Sequence, residues 1–200
     1  MSARIAVVYY SATGNVHQMA EALAAGASGA GAEVRMRRVP ELAPVEAIAA
    51  NPAWQAHHEA VSGHVEEAKI TDLEWANGFA FGTPTRYGNV AAQLKQFIDA
   101  TGPLWAAGKL ANKVATSFAS AQNQHGGLES TILALNNTFY HWGSIIVPPG
   151  YTEERVFSAG GNPYGTSFPS ATSDGAVTEA VLAAATYQGE RLVEFAQRLG

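Results

Sequence analysis

Ser11, Thr13 and Asn15, with Gly14 among them, follow directly on the apolar run Ile5-Ala6-Val7-Val8-Tyr9. A buried-strand pattern thus breaks at Tyr10 into a short Ser/Thr/Gly loop, residues 11–16, and a helical pattern begins at once. Such a junction builds an anion site, because loop hydroxyls and successive backbone N–H groups meet the positive end of a helix macrodipole. Phosphate is the natural guest. The loop lacks the G-x-G-x-x-G of a dinucleotide site and the G-x-x-x-x-G-K-[ST] of a nucleoside triphosphatase, and it carries no cation. Ser11, Ala12, Thr13, Gly14, Asn15 and Val16 therefore form a candidate cradle for a phosphomonoester held by hydroxyls and amides, with flavin mononucleotide (FMN) the leading guest. A plain strand–helix connection is the alternative reading.

The elements that must position this loop alternate between β-rich runs and helical stripes, the mark of an α/β sheet. Residues 5–9 read as the first strand. Val16, Met19, Ala20, Leu23 and Ala27 make a helical stripe closed by Gly29 and Gly31, and residues 33–39 alternate like a second strand nearer a sheet edge. Residues 40–71 form an Ala/His/Pro-rich excursion too long for a simple connection. Residues 78–82 read as a buried strand ending at Thr83-Pro84, after which Asn89 is placed to cap a helix striped by Ala91, Leu94, Phe97 and Ile98. Residues 114–118 are the next strand, followed by a Gly-bearing loop and a helix over residues 129–140. Residues 144–147 read as a strand stopped by Pro148-Pro149. Residues 150–175 form a second insertion with a short strand near 166–168. The final helix sets Val181, Ala185, Leu192, Phe195 and Leu199 on one face.

Strands joined in this way give a parallel sheet covered on both faces, with ligands bound beyond the strand carboxyl ends at a topological switch point. Three polar loops fall at such ends: residues 11–16, residues 83–89 and residues 120–127. Together they make a site.

The 200-residue length suits one domain, residues 1–200, with enough chain for a sizeable core. A 47% hydrophobic, 14% charged composition describes an ordered globular protein. The net charge of −5, with no basic block, argues against nucleic acid as a partner. No run approaches the roughly 20 apolar residues of a membrane span, and the chain enters its first strand with no signal-peptide pattern. Zero cysteines exclude disulfides and thiol chemistry, and the expected location is the cytoplasm. Six histidines show no metal-ligand spacing; His57-His58 and His64 fall in a polar stretch, so no metal is expected.

The stretch Phe81-Gly82-Thr83-Pro84-Thr85-Arg86-Tyr87-Gly88-Asn89 is similar to the F-G-T-P-T-R-[FY]-G-N signature of the WrbA family. Gly102-Pro103-Leu104-Trp105, Gly126-Gly127, residues 146–151 and Asn162-Pro163-Tyr164-Gly165 follow in register. Over nearly its whole length the chain resembles these flavodoxin-like FMN-dependent NAD(P)H:quinone oxidoreductases. The resemblance implies a flavodoxin-like three-layer sandwich, with a five-stranded parallel sheet and two insertions. It also implies two-electron reduction of quinones by NADH or NADPH, in a ping-pong sequence within a homotetramer.

On that likeness, residues 11–16 wrap the FMN phosphate. Pro84, Thr85, Arg86, Tyr87, Gly88 and Asn89 lie along the isoalloxazine, and Ser120, Ala121, Gln122, Asn123, Gly126 and Gly127 flank its pyrimidine end and the ribityl chain. His141 matches a position that contacts flavin from a neighbouring subunit, and Trp105 an aromatic over the face where quinone or nicotinamide stacks. Trp105, His141 and Arg86 are thus the catalytic candidates, Arg86 by offsetting charge on reduced flavin or fixing a nicotinamide phosphate. Helix-end histidine, interior aromatic and surface arginine are the plainer readings of these three; His125 is a further loop candidate. The family's S-x-Y-G-H becomes Ser11-Ala12-Thr13-Gly14-Asn15 here, closer to the S-x-T-G-N of electron-carrier flavodoxins. The 120–127 loop is longer than the family's S-T-G-T-x-G-G-G, with amides and a histidine replacing glycines. A flavodoxin-type carrier without quinone reductase activity is the alternative function, and a regulatory interaction protein a third.

Overall fold

The computed structural model describes residues 2–173 and 175–199. Five strands form the expected parallel path: β1 (Arg4–Tyr9), β2 (Glu33–Arg38), β3 (Gly78–Arg86), β5 (Val114–Ala121) and β6 (Ile145–Ile146), in spatial order β2-β1-β3-β5-β6. Two short additions raise the sheet to seven strands. β4 (Asn89–Val90) folds back antiparallel on the end of β3, and β7 (Ser167–Pro169) lies parallel to the end of β5. The order of the path reverses beside β1, which puts the switch point between β1 and β3.

Strands β1, β3 and β5 are apolar because both faces are covered. On one face α1 (Asn15–Gly29) and α9 (Glu179–Leu199) pack Met19, Leu23, Val181 and Leu192 against Ile5, Val7 and Phe118. On the other, α5 (Ala92–Asp99), α6 (Gly102–Ala106) and α7 (Leu128–Trp142) pack Leu94, Leu104, Leu135 and Trp142 on Phe79 and Phe81. The rings of Phe79, Phe81, Phe139 and Trp142 meet edge-on or tilted with centroids 5.5–5.9 Å apart, the arrangement that ring quadrupoles favour.

Three differences from the sequence reading have physical causes. Asn89 does not cap α5: it pairs with Arg86 in β4, and its Nδ2 donates to the Tyr87 carbonyl at 3.2 Å. The N-cap is Ala91, whose N–H is taken instead by the buried Thr83 hydroxyl at 3.1 Å. The 40–71 excursion holds two helices and opens a third, α2 (Val45–Ala49), α3 (Pro52–Val61) and α4 (Ile70–Trp75), and Arg38 and Glu67 bridge it to the edge of β2. In α9, Val181, Ala185 and Leu192 are buried, but Phe195 is only partly covered and Leu199 is exposed. The second insertion carries α8 (Glu154–Ser158), β7 and a 3-10 turn, Ser170–Thr172.

Candidate active site

β1 ends at Tyr9, and the backbone turns into α1 through Ser11 and Gly14. The Ser11 hydroxyl accepts the Gly14 N–H at 3.1 Å, which shapes the turn, and Gly14 takes a left-handed φ of 98° as N-cap. No side chain caps α1, and its first turn has no acidic residue. The positive end of this 15-residue helix therefore faces outward with donors to spare.

The other two loops are pinned to the start of α7. Thr85 and Thr131 share a hydroxyl–hydroxyl hydrogen bond of 2.6 Å, and Ser130 Oγ donates to the Gly88 carbonyl at 3.1 Å. Tyr87 turns the chain with φ 52°, a left-handed conformation uncommon outside glycine, which leaves its ring fully exposed. The 120–127 loop is held from behind by the Ala171 N–H donating to the Gln122 carbonyl at 2.8 Å, so the second insertion sits beside it.

Between the three loops lies a cleft of about 700 Å³, within the usual range for a small-molecule site. Ser11, Ala12, Thr13, Asn15 and Val16 form one end; Pro84, Thr85, Arg86 and Tyr87 line a side; Ser120, Ala121, Gln122, Asn123 and Gly126 line the rest. Gly14, Gly88, Asn89 and Gly127 frame these loops without lining the cleft. Asn51, at the N-terminus of α3, and Ser170, in the 3-10 turn, also line it, and the sequence reading did not include them. Asn51 carried a usable signal: an Asn before Pro52 is a helix cap followed by a first-turn proline, and its side chain accepts from the N–H groups of Ala53 and Trp54. Ser170 carried none.

Among the described residues no carboxylate lines the cleft, and Arg86 is the one charged lining residue. With the open end of α1, this selects for an anionic guest. No cluster of three or more His, Cys, Asp or Glu able to hold a metal occurs among the described residues.

Behind the end of the cleft formed by residues 11–16, the Glu41 carboxylate accepts from Tyr10 Oη at 2.7 Å, Trp54 Nε1 at 3.0 Å and Gln93 Nε2 at 2.6 Å, and from the Leu42 and Ala43 N–H groups. Partial burial alone would push its pKa up. The hydrogen bonds from Ala43, Tyr10, Gln93 and Leu42 outweigh that and hold it below the ordinary carboxylate value, while burial and the Glu41 contact push the Tyr10 phenol up. One carboxylate thus ties the strand end, the excursion and α5 together.

Trp105 and His141 meet each other and not this cleft. Trp105 Nε1 donates to the His141 carbonyl at 2.9 Å, and both side chains are exposed. His141 stands 13 residues along α7 from Leu128, about 20 Å at 1.5 Å per residue, at the end of the helix away from the cleft. His125 is exposed on its loop and does not line the cleft.

A family model described as NADPH-dependent FMN reductase matches residues 3–154. The chain belongs to this family. Its similarity extends to proteins named NAD(P)H dehydrogenase (quinone). That of Deinococcus radiodurans is 48% identical over 164 residues, 82% of each chain. Those of Syntrophus aciditrophicus and Geotalea daltonii are 43% and 41% identical over 202 residues, 98% of each. Among solved structures, a flavodoxin, WrbA-like protein from Agrobacterium tumefaciens superposes with a TM-score of 0.72 at 24% identity, covering all of both chains. A flavodoxin from the domain Archaea gives 0.63 at 17% identity over 98% of each. Both share the flavodoxin-like fold with this member of the FMN reductase family.

FMN suits the donor set. The uncapped start of α1, beside the Ser11 and Thr13 hydroxyls and with no carboxylate among the described lining residues, fits a phosphomonoester dianion. Apart from Arg86, the described lining residues of the other two loops are uncharged, which fits a flat heterocycle that needs polar contacts more than charge.

Proposed function

We propose that this protein is an FMN-dependent NAD(P)H:quinone oxidoreductase in which residues 11–16 hold the FMN phosphate. Residues 84–89 and residues 120–127 would line the ring and the ribityl chain. The observation that carries the reading is the cleft itself: three loops at strand carboxyl ends, an open helix N-terminus and, among the described lining residues, Arg86 as the lone charge. The names of the relatives supply the reaction.

Bound FMN would supply the redox chemistry, accepting hydride from the nicotinamide and passing two electrons to the quinone. The chain's part is to bind and orient. Arg86, at the end of β3, sits where it can offset negative charge beside the ring or pair with a phosphate of the dinucleotide. Tyr87, fully exposed on its strained turn, is placed to pack beside a planar guest. One mouth serves both substrates, so donor and acceptor take turns, giving ping-pong kinetics.

The Trp105–His141 pair acts on a neighbouring copy in this reading. His141 is too far along α7 to reach its own chain's cleft, Trp105 of α6 is hydrogen-bonded to it there, and a homotetramer would bring one chain's pair over another's flavin. Residues 1–200 act as one domain, the partners are quinone and NAD(P)H, and the protein works in the cytoplasm. No helix among the described residues is long and apolar enough to cross a membrane.

The test is an anaerobic stopped-flow mix of FMN-loaded protein with NADH or NADPH, then benzoquinone. Rapid loss of the oxidised-flavin absorbance followed by recovery on quinone is expected. Bound FMN that neither nucleotide reduces would overturn the enzyme reading and leave an electron carrier.

A further inference from the structure

His17 occupies the first turn of α1, directly after the phosphate loop. Its Nδ1 is 2.5 Å from Tyr9 Oη, and its Nε2 is 3.4 Å from the Glu21 carboxylate one turn further along. A second histidine reaches the same spot from the excursion. The His57 ring on α3 lies 5.3 Å from the His17 ring, and its Nδ1 would be 3.5 Å from a Cβ at Gly14, so it packs directly against the loop. Neither histidine lines the cleft; both stand behind its phosphate end.

The position has the wrong sign for a cation. An imidazolium in the first turn of a helix opposes the macrodipole, and both rings are half-buried. Burial, then the neighbouring His17 and His58, push His57 down to about 4. Burial lowers His17 as well, against the pull of Glu21. The other groups facing the pair supply no free negative charge at the loop. Arg38 from β2 pairs with Glu67, Glu41 is engaged by five donors, and burial keeps the Tyr9 phenol protonated. Only an anion on residues 11–16 would reverse the balance.

Resting on the FMN reading, we infer that His17 and His57 form a proton-accepting pair that couples binding of the flavin's phosphate to proton uptake, and so selects phosphorylated over unphosphorylated flavin. The proton comes from solvent and no covalent bond changes. An imidazolium at His17 would donate from Nδ1 to the Tyr9 hydroxyl oxygen and from Nε2 toward Glu21. Both N–H groups then have partners already in place; with the rings 5.3 Å apart, repulsion limits the pair to one proton, which His57 can share against the loop.

Calorimetry of FMN binding to the cofactor-free protein, in two buffers of different ionisation enthalpy, reads the net proton exchange. The sign decides. A phosphate monoester has its second ionisation near about 6, so a loop that merely selects the dianion would release protons below neutrality. The pair predicts net uptake, with FMN binding tightening at least about threefold from about pH 8 to about pH 6.5, the range in which histidine charge responds. Riboflavin, which lacks the phosphate, should show neither effect. His17→Gln should abolish the uptake and His57→Gln reduce it. The half-exposed His57 site provides a second variant if the first does not fold, and ring NMR of His17 in the unmutated protein should show its titration moving up on FMN binding. Proton release or no exchange by the unmutated protein, equal uptake with riboflavin, or uptake that survives in both variants would overturn the inference alone. Failure to bind FMN at all would overturn the functional reading and this inference with it.

Discussion

Replacing Gly127 with alanine tests whether two cleft loops are held together by a backbone contact. Gly127 caps α7 with φ 93° and ψ 35°, and a Cβ there would stand 2.6 Å from Gly88 Cα and 3.0 Å from Ser130 Oγ. An ordinary carbon contact is about 3.5–4.0 Å, so the 84–89 loop must retreat by roughly 1 Å. The left-handed backbone costs an alanine about 1–2 kcal/mol, and loss of the Ser130–Gly88 hydrogen bond adds about 1 kcal/mol. The total of about 2–3 kcal/mol lowers Tm by about 4–12 °C in a chain of this size. Gly160→Ala is the control: its φ is 99°, but nothing lies within 4 Å of the added Cβ, so only the backbone penalty applies. Thermal melts followed by circular dichroism and FMN titrations of both variants make the comparison. Gly127→Ala should melt lower than Gly160→Ala and weaken FMN roughly tenfold, about 1.4 kcal/mol, while Gly160→Ala leaves FMN binding unchanged. If the two variants melt alike and bind FMN alike, the packing of Gly127 on Gly88 does not hold the cleft.

Removing the Ser11 and Thr13 hydroxyls together should weaken FMN by a factor of at least about 150, the lower bound for two hydrogen bonds to a charged group at about 1.5 kcal/mol each; fluorescence titration should show riboflavin binding unchanged. Trp105→Ala should raise the quinone KM by about threefold to tenfold, the worth of an aromatic contact, with a smaller effect on the FMN Kd, and steady-state kinetics separate the two. Lys113 Nζ donates to the Leu73 and Glu74 carbonyls, and burial, with Arg4 nearby, pushes its pKa down to about 8 from 10.5. Between those values the unfolded chain holds more protons than the folded one, so this group's contribution to stability rises with pH across the window. Denaturant melts at the two ends of it should show the rise in the unmutated protein and a flatter profile in Lys113→Gln.

The five-strand path was legible because β1, β3 and β5 are apolar on both faces, and the loops at their carboxyl ends followed from strand direction alone. Asn89 misled because a capping side chain reads the same whether it caps a helix or closes a tight two-residue return such as β4. α2 and α3 were passed over because each buries a single residue, Ile48 and Val61, leaving almost no periodic stripe to read. Trp105 and His141 were visible only through the motif likeness. Local pattern places one in the gap after a helix and the other at a helix end, and nothing local ties either to residues 11–16, nearly 90 residues and more away.

The Glu41 tie has a dynamic consequence. The 40–71 excursion is fastened mainly by polar bonds and ion pairs to the sheet edge, with little apolar area beneath α2 and α3. Segments of this kind open locally at free energies well below that of global unfolding. Because the segment brings Asn51 to the cleft and His57 against Gly14, one sub-global opening would uncover the end of the cleft formed by residues 11–16 while the sheet stays intact. The cofactor would then have a route in and out whose rate is set by a loop latch and not by the stability of the fold, and amides of α3 should exchange with solvent on the timescale of cofactor exchange.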